Sequence, residues 1–405
     1  MKKDPFFTLS EDSTWNALIG RQGNKFNYAD GYIEAAVDLS KGIIEQKKFG
    51  QRDTLCLPIL YNARHSIELH LKIVIGSFTE AGVVKSKHDK NHDIKSHFEF
   101  LIDAQIEDEC LRGILESLRP YLESLSQVDD DGQQFRYHET RDGERSLDGK
   151  SLINIKVLYD GLLKLKTILD ELKYRSDSYV SEFKTGTNTS RLSREDLYKI
   201  AKLLPLRSNW DNSDFDKVKE KIKVRFNLSN RQFSKAIDVI ESQRELGSII
   251  GIETKAKFIT DDKAFRLCEG WCGAHSEVER DPCTSVNFSD KESMRKAFVS
   301  ADIFEKSISK ISDDFDLNEA VDVETIFYMA RDHEYVEYYE DRFQTKLKAR
   351  SGPRERLAHV LEKTNFLQEF SRGVRRIGRV NLADKLDQML TEFQKKIGVA
   401  ETLHK

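Results

Sequence analysis

The chain has 405 residues, 33% of them charged and 39% hydrophobic, with a formal net charge of −4. That length accommodates a sizeable core and more than one domain. The charge excludes a global pull toward nucleic acid, so any such binding is local. No run approaches the roughly 20 apolar residues of a bilayer-spanning helix. "MKKDPFFTLSEDSTW" has no apolar run of the kind that follows the basic start of a secretory leader. Cys56, Cys110, Cys268, Cys272 and Cys283 show no disulfide-framework spacing, which fits a reduced, cytoplasmic chain. Six prolines and 21 glycines favour helices over short strands and turns.

Residues 1–52 contain one amphipathic helix, "YIEAAVDLSKGIIEQ", striped by Val37, Leu39, Ile43 and Ile44. The stretch "DTLCLPILYNARHSIELHLKIVIGSF" is the most apolar of the chain. Leu60, Ile67, Leu71, Val74 and Phe78 recur at helical spacing and predict a core helix over 57–78, with Pro58 in its first turn. Within it Arg64 and Glu68 stand four apart, on one face, and can pair. His70 stands six beyond Arg64, about 240° around a straight helix. Those two meet only at a helix start or through a second chain. A helix capped near Asp93 follows, then one over 106–126. "FRYHET" forms a short extended piece ahead of an Asp-Gly turn. A long amphipathic helix then runs to "YVSEF", and the Ser/Thr/Gly linker "KTGTNTSRLSR" closes a first domain at 1–185.

"LPILYNARHSIELHLK", His92-Asp93, "FRYHETRDGERSL" and the long closing helix together resemble bacterial members of the HEPN superfamily, over residues 30–175. The resemblance implies a helical bundle of the kind found in toxins, phage-defence proteins and RNA-processing enzymes. In many of these an Arg and a His, separated by four to six residues, form a metal-independent ribonuclease site, often across a dimer interface. Arg64 and His70, with five residues between them, meet that spacing. The implied roles are proton transfer by His70, stabilisation of phosphorane charge by Arg64, and positioning by Glu68. Arg136 and His138 in "FRYHET" either meet the 61–72 helix from the facing loop, as RNA-binding residues, or belong to a turn that covers the bundle end. The implied partners are RNA, a second copy through the bundle, and a partner protein or antitoxin, with no cofactor. The bland alternative makes Arg64–Glu68 an intrahelical ion pair and His70 a packing residue.

Residues 192–300 begin with the helix "SREDLYKIAKLLP". Two helices joined at "FNLSN" follow, with a helix-turn-helix flavour in which Arg225, Arg231 and Lys235 either face a phosphate backbone or simply flank packed helices. "SIIGIETKAKFIT" is expected as a strand or wing, and "DKAFRLCEGWCGAHSEV" as a helix. Cys268, Cys272, His275 and Cys283 are four soft ligands, but their spacing fits no common zinc finger. His88, His92 and His97 offer a metal few acidic second ligands, and their segment is expected as an exposed loop. In 301–405 "DVETIFYMARDHEYVEYYEDRFQTKLKARSG" is expected as one helix stopped by Gly352 and Pro353, with two or three helices after it. Its basic excess, with Arg354, Arg356, Arg372, Arg375 and Arg376, is the best candidate RNA-binding surface.

No phosphate-binding glycine loop, dinucleotide fingerprint or serine elbow is present, which makes kinase, dehydrogenase and α/β-hydrolase readings untenable. The fold class expected is mainly α, a HEPN-like helical bundle followed by a helical middle and C-terminal region with at most a small β element. The function expected is a metal-independent endoribonuclease-like effector in toxin or antiphage defence. The alternative is a non-catalytic interaction module that dimerises or binds a protein or nucleic acid.

Overall fold

Helix follows helix in the computed structural model, which describes residues 4–9, 11–20, 23–89, 91–129, 132–137, 139, 147, 152–211, 213–277, 302 and 305–403. No strand occurs among these residues, so the fold is mainly α. The chain divides into two compact units, Met1–Ser193 and Arg194–Lys405.

The first unit contains α1 (Lys25–Glu45), α2 (Arg52–Ala81), α3 (Ile94–Asp103), α4 (Glu109–Ser126) and α5 (Ile155–Thr185). Their starts are written in side chains: Asn24, Asp93, Asp108 and Asn154 each accept from a backbone N–H of the first turn. Gly82 and Gly186, both left-handed, end α2 and α5. Helix α2 is central and packs on α1, α3 and α5. Ile59, Ile67, Leu71 and Phe78 enter the core from it, against Ile33, Phe98, Leu118 and Leu172. It starts at Arg52, ahead of the expected 57, so Pro58 sits inside the helix rather than in its first turn. The carbonyl that Pro58 leaves without an N–H belongs to Thr54, an exposed residue that water can serve. Arg175 ties α5 to the start of α4 by reaching Asp108 at 2.5 Å and Glu182 at 2.7 Å. The "FRYHET" segment is not extended at its start. Residues 134–136 turn, and the N–H groups of Arg136 and Tyr137 both donate to the Gln133 carbonyl.

The second unit contains α6 (Arg194–Leu203), α7 (Ser213–Phe226), α8 (Asn230–Ser242), α9 (Arg244–Ile249), α10 (Asp261–Glu277), α11 (Leu317–Arg331), α12 (Tyr339–Leu347), α13 (Pro353–Leu361), α14 (Phe366–Arg376) and α15 (Val380–Leu403). The turn at "FNLSN" is real, and Ser229 and Gln232 form a capping box on α8. Two expectations fail. "SIIGIETKAKFIT" gives a short helix and irregular chain, because the N–H groups of Phe258 and Ile259 donate to the buried Asp322 carboxylate at 2.8 and 2.9 Å instead of to a neighbouring strand. The single long helix breaks after Arg331. The chain folds back so that Tyr339 hydrogen-bonds Asp322, and Arg376 donates to the carbonyls of Met329 and Glu334 that the break exposes. The middle and C-terminal regions also share one core: Leu267 and Trp271 pack in the same cluster as Phe327, Phe366 and Phe370.

Gly373 lets α14 lie against α11, since a Cβ there would overlap the Ile326 carbonyl oxygen. Gly373→Ala is therefore expected to cost about 1–3 kcal/mol or more. Gly113→Ala, on an exposed face of α4 with nothing within 4 Å, is expected to be neutral or to stabilise by about 0.5–1 kcal/mol. Chemical denaturation of the two variants measures the contrast, and equal midpoints would contradict it.

Candidate functional site

Arg64 is 1% exposed, yet it sits in the most apolar helix of the chain. Its guanidinium is satisfied from three directions. Nη1 donates to Glu68 Oε2 at 3.0 Å, one turn along α2. Nε donates to the Asp129 carbonyl at 2.8 Å, in the loop after α4, and Nη2 donates to the His92 carbonyl at 2.6 Å, just before α3. One cation therefore holds two loops to the central helix. The Asp129 carboxylate continues the network by accepting the N–H groups of Gln134 at 3.0 Å and Phe135 at 3.3 Å. Gly132 closes over the guanidinium with φ +80°, and a Cβ there would lie 2.8 Å from Nη1. Glycine is required at that position for its conformation and for the space.

Glu68 is buried but gathers partners that reach the surface. Its Oε1 accepts from Lys72 Nζ at 2.6 Å and from His92 Nδ1 at 2.8 Å. Its Oε2, besides Arg64, lies 3.8 Å from His65 Nδ1. Burial pushes the carboxyl up, but His65, Lys72 and His92 outweigh it and hold it well below the usual carboxylate range. The outcome is a permanent buried anion with two imidazoles on its two oxygens. His92 is the open one, 72% exposed in its side chain. With its Nδ1–H committed to Glu68, Nε2 is left as the proton acceptor, in the tautomer that a buried carboxylate imposes. His65 stacks on Tyr61 at 5.6 Å between ring centroids and meets the edge of Tyr32 at 4.5 Å. Arg136 belongs to the same surface. Its Nε donates to the Gly132 carbonyl at 2.6 Å, and its guanidinium lies over Tyr61 and Tyr137. His138 lies outside the described residues.

The structure thus joins Arg64 and Glu68 but does not bring His70 to them. His70 is fully buried on the α1 side of α2. Its Nδ1 donates to the Ser66 carbonyl at 2.8 Å, its Nε2 lies 3.3 Å from Asp30 Oδ1, and Phe26 packs on the ring. Burial lowers its pKa, against the Ser66 carbonyl and Asp30. Within one chain this geometry does not bring Arg64 and His70 to one place. The six-residue spacing on an unbroken helix sends them to different neighbours, and neither has surface to offer a substrate. His92 and His65 were missed as site residues. His65 was legible at i, i+3 from Glu68, whereas His92 reaches Glu68 only through the tertiary placement of its loop.

The candidate arginines of the basic C-terminal stretch have partners inside their own unit. Arg356 is buried and serves as a clamp, donating to Glu324 at 2.7 Å and to the carbonyls of Lys346, Ala349 and Ser351. Arg376 holds Glu245 besides the two carbonyls at the helix break. Arg375 bridges Asp384 and Asp387, Arg372 pairs with Glu369, and Arg354 pairs with Asp313. Arg356 and Arg376 are thus spent within the fold, whereas Arg354, Arg372 and Arg375 keep part of their side chains at the surface beside their acidic partners. Cys268 is fully buried and His275 Nε2 donates to the Leu361 carbonyl, while Cys283 lies outside the described residues. No group of three or more metal-ligating side chains occurs among the described residues. No helix among them is long and apolar enough to cross a membrane.

No family model, curated protein or solved structure matches this chain.

Removing one partner of a buried pair leaves the other charge unpaired, so Arg64→Ala is expected to cost about 3–5 kcal/mol in denaturant unfolding. A loss below about 1 kcal/mol, the worth of a surface pair, would contradict the role given to Arg64. A second expectation concerns acid. His88 and His97 hydrogen-bond to each other at 2.5 Å, and burial, with Lys72 and His88, pushes His97 from 6.5 down to about 4. The unfolded chain binds that proton first as pH falls, so stability is full above pH 6.5 and is lost toward pH 4. Melting temperature followed over this interval should fall, and His97→Gln should flatten the fall. An unchanged profile in the variant would refute the assignment.

Proposed function

We propose that the N-terminal bundle cleaves RNA without a metal, and that the reacting imidazoles are His92 and His65 on Glu68 rather than His70. The observation that supports this reading most is an exposed imidazole whose Nδ1–H is fixed by a buried, permanently ionised carboxylate. That is the arrangement by which a histidine is held as a base. His92 Nε2 takes the proton of a ribose 2′-hydroxyl, and O2′ forms a bond to the adjacent phosphorus. The bond from phosphorus to O5′ breaks, and protonated His65 delivers a proton to the departing oxygen. The products are a 2′,3′-cyclic phosphate and a 5′-hydroxyl. Lys72, on the Glu68 oxygen that also holds His92, and Arg136, over the Tyr61 ring on which His65 stacks, supply positive charge to the phosphate. Lys85, Lys87 and Lys95 are exposed on the segment that carries His92, and attract the backbone electrostatically. Arg64 acts as a positioning residue: it holds the backbone of His92 and the carboxylate that orients its ring.

The second reading, a bundle that only binds, is favoured by the sealing of both Arg64 and His70 inside the fold. Labelled single-stranded RNA and structured tRNA, incubated with the protein in EDTA, separate the two. Cleavage is expected from the intact chain. His92→Ala should lower it by about 10²–10⁴-fold with circular dichroism unchanged, and His70→Asn should leave the rate of the folded fraction intact. Absence of cleavage of every RNA by folded protein favours the binding module.

A further inference from the structure

The first unit carries a wide apolar groove at the end of the bundle where α1 finishes, α2 and α5 begin and α4 ends. Its volume is about 1070 Å³, and its walls include Ile43, Leu57, Leu60, Leu125, Val128 and Phe135. That exceeds the roughly 300–1,000 Å³ of sites for small ligands and suits a peptide segment. Among the described residues its rim is basic, with Lys47, Arg52 and Lys156 exposed against one acid, Asp53. At the other end of α1 the chain carries an apolar arm. Phe6, Phe7, Leu9, Trp15, Leu18 and Ile19 are each at least 68% exposed. Glu11 and Asp12 stand between Leu9 and Trp15, Asp4 precedes Phe6, and residues 4–20 contain no basic side chain, with Lys2, Lys3 and Arg21 flanking them. Six large apolar side chains in so short a stretch are more than the scattered exposure of an ordinary surface.

We infer that the groove receives the arm of a second copy of this chain, giving a two-fold dimer in which two arms fill two grooves. Apolar side chains meet apolar walls, and an acidic segment meets a basic rim. Reciprocal exchange of one segment is the geometry that closes a pair. Phe6, Phe7 and Trp15 alone would bury about 450–750 Å² per arm. Doubled, and with the groove walls included, the area passes the roughly 1,200 Å² at which specific interfaces begin. The chain's own arm fits less well. Helix α1 has 21 residues, a span of about 30 Å. Residues 16–24, fully extended, cover about the same distance, so the chain's own Trp15 arrives only with no slack, whereas a second copy brings it in freely. This inference is independent of the ribonuclease reading.

Light scattering on the eluting intact chain, over the micromolar range, tests it. The mass expected is twice that of one chain. Phe6→Ser/Phe7→Ser/Trp15→Ser, confined to exposed positions, should give a monomer or weaken dimerisation roughly a hundredfold or more. Lys47→Glu/Lys156→Glu should weaken it too, and an equimolar mixture of the two variants should recover a dimer held by one arm in one groove. A monomeric intact chain would overturn the proposal, as would a dimer unaffected by the arm substitutions or a variant mixture that stays monomeric.

Discussion

A guanidinium and a carboxylate one turn apart in the centre of an apolar helix organise the first unit. Neither Arg64 nor Glu68 tolerates burial alone, since an unpaired ion in a protein interior costs several kcal/mol. Each therefore recruits the groups around it. Arg64 takes the carbonyls of Asp129 and His92, and Glu68 takes Lys72, His92 and the side of His65. Two loops are thereby fixed to the central helix. The pair positions as well as stabilises, because the loop it holds carries an exposed imidazole.

The same logic governs the second unit, with other residues. Asp322, fully buried, accepts two backbone N–H groups and the Tyr339 hydroxyl, and burial raises its pKa against those bonds. Arg356 and Arg376 end their side chains on carbonyls left open where helices stop. Arg194 is drawn between Glu245 and Glu337. A chain with one third of its residues charged spends many of those charges as internal clamps on irregular backbone. That explains why Arg356 and Arg376, inside a basic run of the sequence, serve the interior of the fold.

Periodicity was enough to read the helices and much of the core. The stripe Ile67, Leu71, Val74, Phe78 is buried as its spacing requires, and Asp93 caps α3 through Lys95 and Ser96. Arg64 with Glu68 was legible because i, i+4 pairing is local. What could not be read depends on contacts distant in sequence. Nothing local marks the break after Arg331, since its cause is Asp322 calling back Tyr339 and Arg376 arriving from α14. Nothing local marks His92 as a partner of Glu68, 24 residues away. His70 parts from Arg64 within one chain for a reason the sequence already contained: six residues on an unbroken helix point in divergent directions.

The central claim is that buried Glu68 fixes the proton of His92 on Nδ1 and leaves Nε2 open to solvent. Long-range nitrogen–proton NMR of histidine-labelled protein, above the pH at which the ring is charged, reads this directly. A protonated Nδ1 with a bare Nε2 at His92, reverting toward the Nε2-protonated form in Glu68→Gln, is the result predicted. A His92 ring that carries its proton on Nε2 in the unsubstituted chain would contradict the account.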